Sequence, residues 1–293
     1  MVKHIGETGV ESALEVVEYG AGKPVIAVTA GVHGDEVTGV YTARRLIGEL
    51  EKQPPIKGTV RVMPVVNPTA MRCLARRSPF DGADMNRIFP GNTSGSLSER
   101  VAAAVWTQTE GADAIIDLHC CSQHLLPYIL AVHEEFDFAR EHARRITMPV
   151  VIRSEGTPGQ LFTEACRRRG QAACIIELPS AASEGGVNKP ASDLCFNALL
   201  DFLRSHGMLE GEVKGREPSF YGGLTDVNAP RAGLWTPVRE AGAFVSAGDV
   251  LGTLDDEPVP APEEALLMAV RPLCYVFEGR LEVATYAVRA YCE

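Results

Sequence analysis

Three short runs of nearly continuous apolar character constrain this chain most: Val25-Ile26-Ala27-Val28-Thr29-Ala30, Ala114-Ile115-Ile116-Asp117-Leu118 and Ala172-Ala173-Cys174-Ile175-Ile176-Glu177-Leu178. They are short for core helices and lack the alternation of a half-solvated strand, so they read as strands buried on both faces. Segments of helical period stand between and beyond them. Val37 to Glu51 sets Val40, Leu46, Ile47 and Leu50 against Arg44, Arg45 and Glu49. Ser96-Leu97-Ser98-Glu99 opens a second helix, running to Thr109, with a capping-box pattern. Glu134 to Ile146, Leu161 to Arg169 and Lys189 to His206 complete the helical set. Further strands are expected at Leu14 to Tyr19, Gly58 to Val66, Pro127 to Val132 and Pro149 to Arg153. Strands alternating with helices predict an α/β sheet with helices on both faces.

The texture changes near Gly211. Helical periodicity gives way to Gly, Pro and short β-prone runs, which divides the chain into an α/β domain over residues 1–210 and a small all-β, barrel-like domain over 211–293. Val245-Ser246-Ala247-Gly248-Asp249-Val250-Leu251-Gly252 resembles the hammerhead barrel of biotinyl and lipoyl carriers. No lysine follows Lys214, so covalent carriage is excluded, and the expected role is to cap the mouth of a site in the first domain.

The formal net charge of −10 argues against nucleic acid as a partner, because phosphate binding needs a basic surface. No run approaches the ~18 apolar residues of a membrane span, and Met1 to Glu7 has no signal-peptide core. None of the eight cysteines forms a C-x-x-C pair, so reduced, mostly buried thiols in a cytoplasmic protein are expected.

Chemistry collects where the buried runs end. Gly31-Val32-His33-Gly34-Asp35-Glu36 follows the first run and brings an imidazole and a carboxylate within three positions. His119 stands at the end of the second run, and Glu177 lies inside the third. Two imidazoles and one carboxylate are the donor set of a hydrolytic zinc site with an open fourth position. A further carboxylate can then work as general base and acid, and Glu177 is the candidate, since an ionisable residue in an apolar strand is costly without a role. Asp117, two residues before His119, shares its strand face and can orient an imidazole. Asn67 to Gly95 lacks periodicity and reads as a long functional loop. It carries Arg72, Arg76, Arg77 and Arg87, a local positive field that would draw in an anionic substrate.

Together with Asn67-Pro68, Asp84-Met85-Asn86-Arg87-Ile88-Phe89-Pro90-Gly91, Asp117-Leu118-His119 and Ile176-Glu177-Leu178, the first motif resembles the aspartoacylase / succinylglutamate desuccinylase family along nearly the whole chain. The resemblance implies a zinc carboxypeptidase-like mixed sheet flanked by helices, with a small C-terminal β domain. It implies one Zn(2+) per chain on His33, Glu36 and His119, Glu177 as the catalytic carboxylate, and Asn86 and Arg87 holding the substrate carboxylate. The implied activity is hydrolysis of an N-acyl amino acid or a similar small amide. The alternatives are a metallocarboxypeptidase acting on short peptides and a non-catalytic binding module of the same fold. The chain departs from the family where an oxyanion-stabilising Arg is expected after Asn-Pro, since it has Thr69 there. Either the zinc carries more of that load or one of Arg72, Arg76 and Arg77 reaches in, and the expected substitute among these is Arg77. The remaining histidines, His4, His124, His133, His142 and His206, are read as structural or solvated, Cys120 and Cys121 as small buried thiols, and Tyr286 or Tyr291 as lining the site. Neither nucleic acid nor membrane is an expected partner, and self-association is left open.

Overall fold

A computed structural model describes residues 2–7, 10–121, 124–279 and 282–289. The chain opens with an antiparallel pair, β1 (Val2–Glu7) and β2 (Val10–Glu15), followed by β3 (Val17–Ala21) and β4 (Val25–Ala30). After α1 (Val37–Lys52) come β5 (Gly58–Met63) and the short α2 (Pro68–Arg72), then α3 (Leu97–Gln108) and β6 (Ala114–Cys121). β7 (Tyr128–Ala131), α4 (Asp137–Arg144), β8 (Val150–Arg153), α5 (Leu161–Arg169), β9 (Ala172–Pro179), α6 (Lys189–Ser205) and β10 (Ser219–Tyr221) complete this layer.

These strands form one mixed eight-stranded sheet in the order β10-β8-β7-β9-β6-β4-β5-β3. The centre is parallel from β9 through β6 and β4 to β5, while β7 runs antiparallel to β9 and β3 antiparallel to β5. Alternate residues of the buried runs feed two cores. Val28, Ile116 and Ile176 face α1 and α6, and Ala27, Ile115 and Ile175 face α3 and α5. The helices form as their periodicity dictates. Val40, Ala43, Leu46, Ile47 and Leu50 make one buried stripe of α1. α3 starts at a completed capping box between Ser96 and Glu99.

The remaining strands are β11 (Thr225–Asn228), β12 (Gly233–Pro237), β13 (Phe244–Val245), β14 (Val250–Leu254), β15 (Glu257–Pro260), β16 (Ala265–Val270), β17 (Cys274–Val276) and β18 (Glu282–Ala287). They form two antiparallel four-stranded sheets, β11-β18-β16-β13 and β15-β14-β12-β17, around a core centred on the fully buried Trp235. A second apolar cluster joins this unit to the large sheet: Leu125, Tyr128, Val150, Ile152 and Tyr221 pack with Leu266, Met268 and Ala287.

Local differences from the sequence reading have simple causes. The single strand expected over Leu14 to Tyr19 is two strands broken at Val16. The loop from Asn67 to Gly95 holds α2 and a 3-10 turn at Met85–Arg87, because the Asn67 and Asp84 side chains accept backbone N–H groups of Ala70 and Asn86. The helix expected from Glu134 begins at Asp137 and ends at Arg144. β10, which lies past residue 211, pairs in parallel with β8, so the large sheet takes one more strand before the chain enters the antiparallel sheets.

The crossing segment is tied down by Asp201 of α6. One carboxylate oxygen accepts the backbone N–H groups of Lys214 at 3.1 Å and Gly215 at 2.8 Å, and the other accepts Arg204 Nη1 at 3.0 Å. Burial pushes this carboxyl up, but those hydrogen bonds outweigh it and leave its pKa lowered. Asp201→Ala should therefore cost about 2–3 kcal/mol in urea denaturation at pH 7. A depressed folded pKa gives stability that is present above the unfolded pKa and lost as pH falls through the folded one, so the penalty should shrink below about pH 4. An unchanged urea midpoint at pH 7 would show that Asp201 does not hold this segment.

Candidate metal centre and active site

The site is built on the ends of adjacent strands. Gly31 follows β4 at φ 68°, a conformation that favours glycine, and turns the chain out of the sheet. Gly34 lies so close to Ala70 that a Cβ would come within 2.1 Å of its carbonyl carbon. His33 is thereby placed beside the start of α1. Glu36 occupies the N-cap position of that helix yet makes no side-chain cap, because its carboxylate is turned to two imidazoles.

His33 Nδ1 lies 2.5 Å from Glu36 Oε1, and His119 Nδ1 lies 3.0 Å from Glu36 Oε2. The other ring nitrogens face aspartates: His33 Nε2 to Asp84 Oδ1 at 3.0 Å, and His119 Nε2 to Asp117 Oδ2 at 2.9 Å. Asp117 in turn accepts Thr29 Oγ1 at 2.6 Å, across the register in which Thr29 and Asp117 are partners. Those aspartates make Nε2 the protonated nitrogen of each neutral ring, which leaves Nδ1 as the electron-pair donor. The two Nδ1 atoms and the Glu36 carboxylate thus converge as donors, with one ligand atom from each residue within 4.8 Å of the others. All three residues are buried. Such a group is relieved only by a proton or a cation, and the carboxylate behind each imidazole is the usual partner of a metal-bound histidine.

The charges respond accordingly. Burial lowers both histidine pKa values, but Asp84 and Glu36 at His33, and Asp117 and Glu36 at His119, outweigh it and raise them. Burial pushes Glu36 up, and His119 followed by His33 overcomes this and holds it at about 2. Asp84 is likewise raised by burial but carried well below the carboxylate range by His33, Arg76 and Arg87.

Glu177 stands on β9 as the register partner of His119 on one side and of Tyr128 on the other. Its Oε2 is buried and has no hydrogen-bond partner. Burial raises its pKa to about 7, against the pull of His119 and with the push of Glu36. Among the described residues this combination of a metal-type donor group and an adjacent unsatisfied carboxylate occurs once.

Asn86 is buried, and its Oδ1 accepts Leu161 N at 3.2 Å, which leaves its amide N–H groups for another acceptor. Arg87 is exposed, with Nη1 on the Asn86 carbonyl at 2.7 Å. Arg77 is exposed and donates to Gly82 O at 3.3 Å, so it turns along its own loop. Arg76 is the arginine at the centre: Nη2 lies 3.0 Å from Asp84, and Nη1 lies 3.3 Å from His33 Nδ1 and 3.8 Å from Glu36. Thr69 is buried and donates to Asn67 Oδ1 inside α2. Tyr286 belongs to the small domain's core and donates to Glu263 at 2.9 Å, while Tyr291 lies outside the described residues. Cys120 is buried and offers its backbone N–H to Glu36, but Cys121 is exposed, a correction to the buried thiol expected there: β6 ends at this residue. Sequence reasoning gave Asp84 no role. Its contact with His33 spans 51 positions and has no spacing signal.

Residues 22–193, more than half of the chain, match the family model described as the succinylglutamate desuccinylase/aspartoacylase catalytic domain. The chain belongs to this family. A curated relative within reach is the N-alpha-acetyl-L-2,4-diaminobutyric acid deacetylase of Halomonas elongata, 30% identical over 82% of this chain and 73% of the relative. The fold matches an aspartoacylase family protein of Mesorhizobium loti at TM-score 0.80, with 24% identity over 100% of this chain and 95% of that one. It also matches the product-bound ectoine utilization protein EutE of Ruegeria pomeroyi at TM-score 0.77, with 24% identity over 95% and 89% of the two chains. The aspartoacylase/succinylglutamate desuccinylase fold therefore covers both the large sheet and the small antiparallel unit. Among the described residues, no helix is long and apolar enough to cross a membrane.

If the aspartates orient metal-binding imidazoles, Asp117→Asn should weaken metal affinity about 10–100-fold, as read by competition with a chromogenic chelator. Retention of full affinity would separate Asp117 from the metal centre.

Proposed function

We propose that this protein is a zinc-dependent amidohydrolase that deacylates a small N-acyl amino acid. The observation that carries the reading is the unpartnered, buried carboxylate oxygen of Glu177 beside the His33–Glu36–His119 donors. Two imidazoles and one carboxylate suit zinc, which leaves a further coordination position open. A zinc ion there supplies a Lewis-acidic charge that acidifies water and polarises an amide carbonyl. Glu177 then takes the proton of the attacking water and delivers it to the leaving amine. Burial has moved its pKa toward neutrality, where one carboxyl can serve as base and then as acid. Asn86 offers amide N–H groups, and Arg87 and Arg76 offer guanidinium donors, to the substrate's carboxylate. Family membership and the deacetylase relative support deacylation. Met268 to Val270 and Val283 to Thr285 of the antiparallel sheets, with Cys121 and Tyr128 of the large sheet, line a cavity next to the strand position of Glu177, which supports a compact substrate over a peptide laid along an open groove.

Glu177→Gln should retain metal and lose about 10²–10⁴-fold in kcat on an N-acyl amino acid. The wild-type acid limb follows from the need for an ionised base: kcat/KM should fall as pH drops through the Glu177 pKa, which lies near 7 without a cation and lower with one held alongside. Bound zinc with unchanged turnover in Glu177→Gln would sink the mechanism.

A further inference from the structure

A cavity of about 520 Å³ lies between the large sheet and the small domain. It neighbours the candidate centre, since Cys121, at the end of the strand that carries His119, and Tyr128, the register partner of Glu177, are among its lining residues. Leu125, Met268, Val270, Val283 and Ala284 make up much of the rest. On this wall His124, Ser180 and Thr285 are polar, and among the described residues its acid and its guanidinium are Glu282 and Arg271. They satisfy each other, with Arg271 Nη2 at 2.7 Å from Glu282 Oε1 and Nε on its carbonyl at 2.8 Å. The described wall is therefore mainly apolar, with its Arg271–Glu282 pair internally compensated. Its volume is many times the ~30 Å³ share of one water and falls within the ~300–1,000 Å³ of small-molecule pockets.

Strand order fixes which part of a substrate reaches it. Across the strand ends the sequence is Tyr128 on β7, Glu177 on β9, His119 on β6, and His33 after β4, with Asp84 and Arg76 beyond His33. That path covers three strand spacings, about 14 Å. A trans amide points its acyl carbon and its amino-acid Cα in opposite directions. With the carboxylate on the arginine side and the carbonyl at the centre, the acyl group points to Tyr128 and into the cavity.

We propose that this cavity is the acyl pocket, and that it selects N-acyl amino acids whose acyl group is uncharged, apolar and longer than acetyl. The inference rests on the deacylase reading. Succinyl is disfavoured, because its distal carboxylate would meet a cation already neutralised by Glu282. A hexanoyl group buries four more methylenes than acetyl, each worth about fourfold in transition-state binding.

The test uses matched N-acetyl, N-succinyl and N-hexanoyl derivatives of aspartate, glutamate and 2,4-diaminobutyrate with the zinc-loaded full-length protein. The expected result is a kcat/KM for hexanoyl at least 10-fold above acetyl on the best amino acid, with succinyl below both. Ala269→Phe, on the cavity wall, should lower the hexanoyl-to-acetyl ratio at least 10-fold, with circular dichroism confirming the fold. Sodium hexanoate should raise the melting temperature of wild-type protein at millimolar concentration, and this shift should be lost in Ala269→Phe. Turnover of acetyl derivatives with no gain for hexanoyl would overturn the pocket assignment and leave the deacylase reading standing. If no N-acyl amino acid were hydrolysed, the deacylase reading would fall, and an absent hexanoate shift would overturn the pocket independently of it.

Discussion

One buried carboxylate shared by two imidazoles governs this structure. Glu36 sits between His33 and His119, and each histidine is backed by a further aspartate. Three acidic residues and two imidazoles in a buried pocket are costly unless each atom has its partner. Here the partners form a chain, from Thr29 through Asp117, His119, Glu36, His33 and Asp84 to Arg76, which reaches solvent. The chain explains why Glu36 gives up the capping role its position offers. It also explains why β4 and β6 must be paired in the register they have, since a slip would separate Thr29 from Asp117.

The same parallel core converts sequence into spatial order. β9, β6 and β4 end, and the antiparallel β7 begins, at one edge, so residues far apart in the chain line up across it: Tyr128, Glu177, His119 and His33. At the His33 end Arg76 reaches the surface paired with Asp84, and much of the cavity wall at the Tyr128 end is apolar.

Much of this was legible in the sequence because its cause is local. The continuous runs Val25–Ala30, Ala114–Leu118 and Ala172–Leu178 announce strands buried on both faces, and each became a central strand. His33, Glu36 and His119 sit where such strands end, and they converge. The unread part is long-range. Asp84 meets His33 through a 3-10 turn in a loop without periodicity. Arg76 lies against His33 while Arg77 turns to Gly82, because the loop's path, which composition does not encode, decides which of two neighbouring guanidiniums faces inward. β10 is three residues long and follows an aperiodic segment, so nothing marks it as belonging to the large sheet.

The small antiparallel unit packs on the large sheet through a strand that also lines the neighbouring cavity. β16 serves two cores: Leu267 and Val270 pack around Trp235, while Leu266 and Met268 pack on Tyr128, Val150, Ile152 and Tyr221 of the large sheet. Met268 also lines the cavity that Cys121 and Tyr128 border. The contact that shapes the pocket is thus the contact that covers the apolar end of the sheet. Removing residues 211–293 would take away β10 and expose that surface as well as opening the cleft. Loss of selectivity in such a truncation would follow from lost folding as readily as from a lost wall. Single changes at the partly exposed rim, such as Ala269, separate the two because they alter the volume without uncovering the sheet.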